Sequence, residues 1–172
     1  MSDSYSRTAN LVGALSLAIS ERLLDPGHHR GLDRNQAAAL VVLSNHPGQS
    51  IESLSHTLGL THSGAVRLVD RLQASALVRR EPGGPGRTLA LRLTESGQET
   101  ASGVLARRHA VIEQALSGLD QQALDALEGG VAEVLAALTS DRRNARRICR
   151  LCDEALCERH ARCPVDEAVC GS

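Results

Sequence analysis

Apolar residues recur at helical spacing along most of the chain and at strand spacing in one short stretch. Positions three and four apart fall on one face of a helix, whereas alternating positions fall on one face of a strand. Alternation is clearest at Leu89, Leu91 and Leu93, which are separated by Ala90 and Arg92. Two strands, 77–80 and 88–93, are therefore predicted around a tip rich in Gly and Pro. The predicted helices span 9–24, 36–45, 51–58, about 62–76, 94–116 and 120–138.

Polar residues with capping ability precede most of these helices. Asp33 followed by Gln36 has the form of a capping box, in which side chain and backbone of the two residues bond reciprocally. Gly59 suits a helix end, because glycine adopts the left-handed conformation without steric cost. Residues 1–8 are polar and are predicted to be loose. The other predicted N-caps are Ser50, Thr61, Thr94 and Asp120.

Two short helices joined by a tight turn make the stretch from Ile51 onward a predicted helix-turn-helix. In that arrangement the second helix enters the DNA major groove. Its polar side carries Ser63, Arg67, Asp70 and Arg71. The segment Glu81–Arg87 would form the tip of a wing. The buried side of the second helix is predicted to hold Ala65, Val66, Val69, Leu72 and Ala76.

The same stretch resembles the MarR family of winged helix-turn-helix regulators. The likeness rests on LTHSGAVRLVDRLQASALV, Leu60 to Val78, and on a following R-x-L-x-L-x-L-T-x-x-G run that starts at Arg87 and ends at Gly97. In element order it extends over about residues 10–138. Gly86 stands where the family commonly has Asp, before the wing Arg. The resemblance implies a two-fold dimer with interlocked terminal helices, double-stranded DNA as partner, and a small aromatic or phenolic effector in many members.

These observations give a mainly α (α+β) fold: a winged helix-turn-helix at 32–97, flanked by dimerisation helices at 9–25 and 98–140. Together they form a MarR-like domain, 9–140, followed by a Cys-rich tail, 141–172. Between His62 and Arg92 six Arg face only Asp70 and Glu81, a local excess that fits phosphate contact. Ser63 and Arg67 are expected at base edges. The full set of predicted DNA contacts is Thr61, His62, Ser63, Arg67, Arg71 and Arg87.

The composition of the 172-residue chain permits a core of aliphatic side chains. Hydrophobic residues make up 42%, with no Phe or Trp and the single Tyr5, and the net charge is −1. No apolar run follows a basic start and no stretch of 18 apolar residues occurs, so neither a signal peptide nor a membrane partner is expected. A cytoplasmic location is expected, where disulfides are seldom structural.

All five cysteines lie in the last 24 residues, with the spacing C-x2-C-x4-C-x5-C-x6-C. Thiolates this close can bind a soft metal and fold a short segment around it. Four of them close a tetrahedral zinc site, which is the first expectation. An iron–sulfur cluster, hinted at by Cys163-Pro164, and metal-free thiol–disulfide switching stay open as alternatives. Cys170 would be a spare or resolving thiol and His160 a substitute ligand. The predicted ligands are Cys149, Cys152, Cys157 and Cys163.

The sequence therefore predicts a dimeric DNA-binding regulator, expected to repress a palindromic operator, whose cysteine site is structural or senses metal or redox state. Two alternatives are kept. The first is a regulator that responds to a small phenolic ligand and has a purely structural zinc tail. The second is a protein-interaction adaptor that no longer reads DNA. An enzyme is not expected, because the chain has no Gly-rich phosphate loop, G-x-S-x-G or His-Glu-x-x-His motif.

Overall fold

A computed structural model describes residues 3–24, 31–83, 89–160 and 162–170. Its helices and strands follow the chain as α1 (Asp3–Leu24), α2 (Arg34–Asn45), α3 (Ile51–Leu58), α4 (His62–Ala74), β1 (Val78–Glu81), β2 (Ala90–Leu93), α5 (Glu95–Leu116), α6 (Gln121–Leu138), α7 (Arg142–Ile148), α8 (Glu154–His160) and α9 (Pro164–Cys170). This is the predicted, mainly helical winged-helix architecture with one small antiparallel sheet. None of the described helices combines the length and the apolar character that a membrane crossing needs.

Helix α2 lies at the centre of the core. Its seven consecutive residues from Ala37 to Leu43 are all buried, as its nearly continuous apolar sequence predicts. Helices α3, α4 and α5 and strand β2 surround it. The aliphatic side chains that fill the space between these elements include Leu40, Leu43, Leu54, Leu68, Leu72 and Leu91.

The predicted helix caps are confirmed. Asp33 Oδ1 accepts a hydrogen bond from Gln36 N at 2.8 Å, and Gln36 Oε1 accepts one from Asp33 N at 2.9 Å. Gly59 ends α3 with a φ of 67°, in the left-handed region where a side chain is strained. Each of these caps satisfies backbone groups that the helix itself leaves without a partner. The other confirmed N-caps are Ser50, Thr61, Thr94 and Asp120.

Several predicted boundaries are wrong. Helix α1 begins at Asp3, so the described residues before position 9 are helical and not loose. Helix α4 ends at Ala74, and Ala76 is exposed with a φ of 55°. The chain turns there because Leu77 N bonds back to Leu72 O at 2.9 Å. Leu68 is buried where Ala76 was expected, and Val66 is only half-buried.

The wing is a β1–β2 hairpin with one further bridge. Val78 pairs with Leu93 and Arg80 with Leu91, in antiparallel register. Gln49 O accepts from Leu91 N at 2.8 Å, so the segment before α3 forms an isolated antiparallel bridge to β2. The strands are displaced from their predicted positions: β1 begins one residue later, and β2 is described only from Ala90. Leu89, predicted to face inward, is exposed.

Gly97 joins the wing to α5 by close backbone packing. A Cβ placed on Gly97 would lie 2.0 Å from the carbonyl oxygen of Leu77, a distance no side chain tolerates. Thr94 reinforces the junction, since its Oγ1 donates to Ala76 O at 2.7 Å and accepts from Gly97 N at 3.0 Å. The Thr-x-x-Gly spacing is therefore the sequence form of this junction.

Helices α1 and α6 leave large apolar side chains exposed. None of the residues of α6 is buried within the chain. Leu138 is 63% exposed and Val134 53% exposed, and their spacing of four residues places both on one apolar stripe of α6. The corresponding exposed residues of α1 are Leu11, Val12, Leu15 and Leu17.

Candidate nucleic-acid interface and cysteine cluster

The exposed side of α4 carries the predicted base-reading residues. His62, Ser63 and Arg67 are all exposed in its first two turns. Thr61 is exposed as well, but its hydroxyl accepts from Gly64 N at 3.1 Å and lies 3.3 Å from Ser63 Oγ. Thr61 thus serves first to begin the helix, and it fixes the position of the residues beside it.

The arginines near α4 differ in whether a carboxylate pairs with them. Asp70 pairs with Arg80 at 2.6 Å, and Asp33, from the start of α2, lies 3.5 Å from Arg71. Arg67 makes no ion pair within the described ranges. Surface pairs of this kind contribute about 0–1 kcal/mol and exchange readily for phosphate contacts. Among the described arginines that are predicted DNA contacts, Arg67 is consequently the one whose charge is fully available to DNA.

On the wing, Glu81 holds two arginines that the strand register places opposite each other. Its two carboxylate oxygens lie 2.9 Å from Arg79 Nε and 2.8 Å from Arg92 Nε. This carboxylate offsets the repulsion between two like charges across the hairpin. Arg87, the predicted wing contact, lies outside the described residues.

Beyond α6 the described part of the Cys-rich tail folds as three short helices, with its cysteines within them, at their ends or in their connections. Cys149 ends α7, and its carbonyl oxygen accepts from Cys152 N at 2.8 Å. Cys157 lies within α8. Cys163 directly precedes α9, and its carbonyl oxygen accepts from Glu167 N at 3.0 Å. The predicted ligands therefore come from all three helices and their connections.

All five cysteines line one open cavity of about 400 Å³. His46, from the end of α2, and Glu154 line it too, together with Arg142 and Arg146. Among the described residues, no three His, Cys, Asp or Glu side chains already stand in the geometry of a metal site. The fold thus gathers the four predicted ligands, and Cys170, around one space without closing them on a centre. The side chain of His160 is outside the described residues.

The thiols of this cavity interact with one another. Cys149 and Cys152 share a hydrogen bond, which lowers the pKa of Cys152 to about 7 and raises that of Cys149. Burial opposes the lowering at Cys152, while Arg108 and Arg150 assist it. Burial also raises the pKa of Cys157. A thiolate is therefore favoured at Cys152 beside the neutral thiols of Cys149 and Cys157. A metal that binds there displaces the remaining protons.

The positive charges of Arg108 and Arg150 act on this thiolate. Burial, together with the positive charges of Arg34, Arg147 and Arg108, lowers the pKa of the Arg150 guanidinium. Like charges repel one another unless an anion lies among them. Four thiolates around one divalent metal carry a net charge of −2, so such a centre would offset this repulsion.

Sequence reasoning missed the contacts that hold the tail against the remainder of the protein. Asn45 Nδ2 donates to Cys152 O at 3.0 Å, and His46 Nε2 lies 2.9 Å from Glu154 Oε1. Their partners lie more than 100 positions away, so no local pattern reveals them. Leu151 could have been suspected, because it is the one apolar residue between Cys149 and Cys152.

Comparison with known proteins gives a consistent result. Residues 30–87 match the MarR family model. Over 109 residues the chain is 24% identical to the uncharacterized HTH-type transcriptional regulator YfiV of Bacillus subtilis, covering 63% of this chain and 68% of YfiV. A MarR family protein structure from Bacillus stearothermophilus superposes with a TM-score of 0.69 at 19% identity, covering 78% of this chain and 95% of that one.

The MarR family protein Rv2887 of Mycobacterium tuberculosis, solved in complex with DNA, superposes with a TM-score of 0.60 at 17% identity, covering 73% of this chain and 95% of its own. The winged helix-turn-helix of this chain is thus similar in sequence to the MarR family, and about three quarters of the chain is similar in fold to structures of MarR family proteins.

Proposed function

We propose that the protein is a dimeric DNA-binding transcriptional regulator that represses from a palindromic operator and carries a four-cysteine metal site in its tail. The observation that carries the DNA-binding part is the exposed side of α4. It presents Ser63 and Arg67 on a winged helix-turn-helix whose other arginines near α4 are held by carboxylates. Similarity to the MarR family, with one DNA complex among the fold relatives, supports the same assignment.

In this proposal α4 enters the major groove. Arg67 donates two hydrogen bonds to the O6 and N7 of a guanine, and Ser63 contacts a neighbouring base edge. His62 and Arg71 contact phosphates, and Arg71 leaves Asp33 to do so. Arg87 reaches the adjacent minor groove, whose negative potential favours guanidinium groups.

The exposed apolar residues of α1 and α6 support the dimer. A surface that exposes Leu11, Leu15, Val134 and Leu138 on α1 and α6 is costly in water. Pairing with a second copy would bury it on a two-fold axis. Two α4 helices about one DNA turn apart would then match a palindrome.

The cysteine-lined cavity supports the metal site. Cys149, Cys152, Cys157 and Cys163 would hold zinc as a closed tetrahedral centre, or an iron–sulfur cluster, as all-thiolate ligands. Bound zinc would supply structure, and a cluster would add a response to redox state. Arg108 and Arg150 would favour either centre, because both centres are anionic.

A phenolic effector has weaker support. A cavity of about 80 Å³ lies among α1, α2 and α5, between Arg34, Arg108 and Leu151. Ligand pockets usually measure about 300–1,000 Å³. This cavity would have to widen several-fold to accept such a ligand, so the tail is the better candidate for the signal.

The test of DNA readout is a binding experiment with Arg67→Ala and a duplex that the full-length protein selects from a random-sequence pool. We expect a loss of about 10- to 100-fold on the selected duplex, the value of one bidentate base contact, and much less on random DNA. Arg22→Ala, which removes the same charge from the last turn of α1, is the matched control and should bind normally.

Equal losses on both duplexes would contradict base reading by Arg67. Failure of the protein to select any duplex would contradict DNA recognition as a whole and would favour the adaptor alternative. Sedimentation of the same samples tests the dimer, and a monomer at micromolar concentration would remove that part of the proposal.

A further inference from the structure

The Cys-rich tail is packed directly against the helix-turn-helix. Helix α7 contacts α3, the first helix of the DNA-binding pair. Ala145 of α7 is 4% exposed. A Cβ placed on Gly59 would lie 2.9 Å from Arg147 Nη2, so this guanidinium lies over the turn between α3 and α4. The tail therefore touches the part of the molecule that sets the position of α4.

The loop between the first two cysteines is anchored in the core. Leu151 packs against Ala37, Val41 and Val104, which join α2 to α5. Immediately after it, the carbonyl oxygen of Cys152 accepts the hydrogen bond from Asn45. Any change in the path of the Cys149–Cys152 loop would consequently act on the end of α2.

A second contact joins the tail to His46, the residue that follows α2. Glu154, at the start of α8, pairs with His46 at 2.9 Å, and the His46 side chain is 47% exposed. His46 and the two residues after it lead directly into the bridge between Gln49 and Leu91 and then into α3. The tail thus holds both ends of the connection from α2 to the helix-turn-helix.

The other end of the tail is joined to α6. Helix α9 packs on α6 and on α7, with Val165 only 2% exposed. Because α6 carries the exposed apolar stripe assigned to the dimer, the tail connects the helix-turn-helix to the proposed dimer helix through α7 and α9. Such a connection can set the distance between the two recognition helices of a dimer.

Helices of seven residues are too short to hold this arrangement by themselves. A centre bound by Cys149, Cys157 and Cys163 would tie α7, α8 and α9 into one rigid piece. Without it the three helices depend on two buried side chains and a few polar contacts. The position of the helix-turn-helix relative to α6 would then be less well fixed.

We propose that the metal state of the Cys-rich tail regulates DNA affinity through these direct contacts with α2 and α3. The inference rests on the proposed function, since it requires both the four-cysteine metal site and DNA binding. The metal-loaded protein binds its operator more tightly, because recognition helices held at the correct spacing lose less freedom on binding. A coupling of the usual size changes affinity about 5- to 150-fold.

The test compares metal-loaded and chelated full-length protein, both kept reduced, by fluorescence anisotropy with the duplex selected above. The uncoupling variant is the double substitution Asn45→Ala with His46→Ala, which leaves every cysteine in place. The matched control is Ser44→Ala. It removes the bond from Gln98 Nε2 to Ser44 Oγ, a contact of the same helix end with α5 and not with the tail.

We expect the affinity ratio of the two metal states to be at least about 5-fold in the unmodified protein and in Ser44→Ala. It should fall towards 1 in the double variant when the metal-loaded samples are matched for metal content. An unchanged ratio in the double variant, or tighter binding by the chelated protein, would overturn the inference. A metal-loaded protein with a ratio of 1 would overturn it while leaving the proposed function intact. Absence of metal or of DNA binding would overturn both.

Discussion

The DNA-binding unit, residues 32–97, and the Cys-rich tail, residues 141–170, are both built from short helices, yet they are held together differently. The unit buries many aliphatic side chains completely, Leu40, Leu54 and Leu72 among them. The described part of the tail buries only Ala145 and Val165. By area, burial of a Leu contributes about 1.5–3 kcal/mol, so the unit has a core of its own and the tail does not.

This difference explains why the sequence shows apolar periodicity in the DNA-binding unit and closely spaced cysteines in the tail. In the unit, apolar periodicity and capping residues determine the elements. In the tail, the proposed cysteine-bound metal would replace the missing core, as metals do in segments too short to bury enough apolar surface. Folding of the tail should therefore depend on a bound metal, whereas folding of the unit should not.

Loss of one cysteine ligand should have the largest effect, because it should make the tail sensitive to trypsin and leave the DNA-binding unit resistant. Cys157→Ser is expected to abolish metal binding, which contributes about 10–16 kcal/mol in structural zinc sites, and to open the tail to trypsin at the arginines of α7. A fragment ending near residue 140 should persist, because the winged helix keeps its core. Mass spectrometry of a timed digest measures both results.

Cys170→Ser is the control for this digest, because Cys170 lies at the end of α9 and is not among the four predicted ligands. It should retain metal and resist trypsin as the unmodified chain does. A Cys157→Ser tail as resistant as the control would show that its own packing is sufficient and would remove the distinction.

The next largest effect is a change in the free energy of unfolding when the packing of the DNA-binding unit on α5 is altered. Gly97→Ala should lower the free energy of unfolding by about 3 kcal/mol, because the new Cβ collides with the Leu77 carbonyl. In the same helix, Gly103→Ala should raise it by about 0.5–1 kcal/mol, since a Cβ there meets only the far end of Arg107 at 3.4 Å. Urea titration of both variants gives the two values, and equal signs would contradict this packing.

The substitution Asp33→Asn is expected to have a smaller effect, a modest rise in affinity for DNA with almost no change in stability. Asparagine caps a helix as well as aspartate, so stability should change by less than about 0.5 kcal/mol. Arg71 loses its partner at 3.5 Å and becomes available to phosphate. Affinity for any duplex should rise a few-fold at low salt, with a steeper salt dependence. Unchanged affinity would show that Arg71 does not approach DNA.

The features predicted correctly from sequence are those decided by neighbouring residues. The caps at Asp33, Ser50, Thr61 and Asp120 depend on groups three positions away, and all four were found. The start of α1 was missed because residues 3–8 carry no apolar period, although a helix forms there. Ala76 was misplaced because a non-Gly residue at positive φ is uncommon and leaves no sequence signal.

The same distinction applies to the two candidate sites: features decided by neighbouring residues could be predicted, and features decided by distant residues could not. The exposed side of α4 followed from helical periodicity. That the cysteines face one cavity also followed, in outline, from their spacing. The attachment of the tail to α2 did not, because the bond from Asn45 to Cys152 and the pair His46–Glu154 join positions about 107 residues apart. Pairings at that separation depend on the tertiary fold and not on any local pattern.

The most direct test of the metal site is metal analysis with an absorption spectrum, on full-length protein purified without oxygen. We predict stoichiometric metal that Cys157→Ser lacks and Cys170→Ser retains. A colourless sample with about one zinc per chain would identify a tetrahedral thiolate site. A brown sample containing iron and sulfide would identify a cluster that responds to redox state. Metal-free protein, from cells supplied with both metals, would contradict the claim that the tail is a metal-folded module.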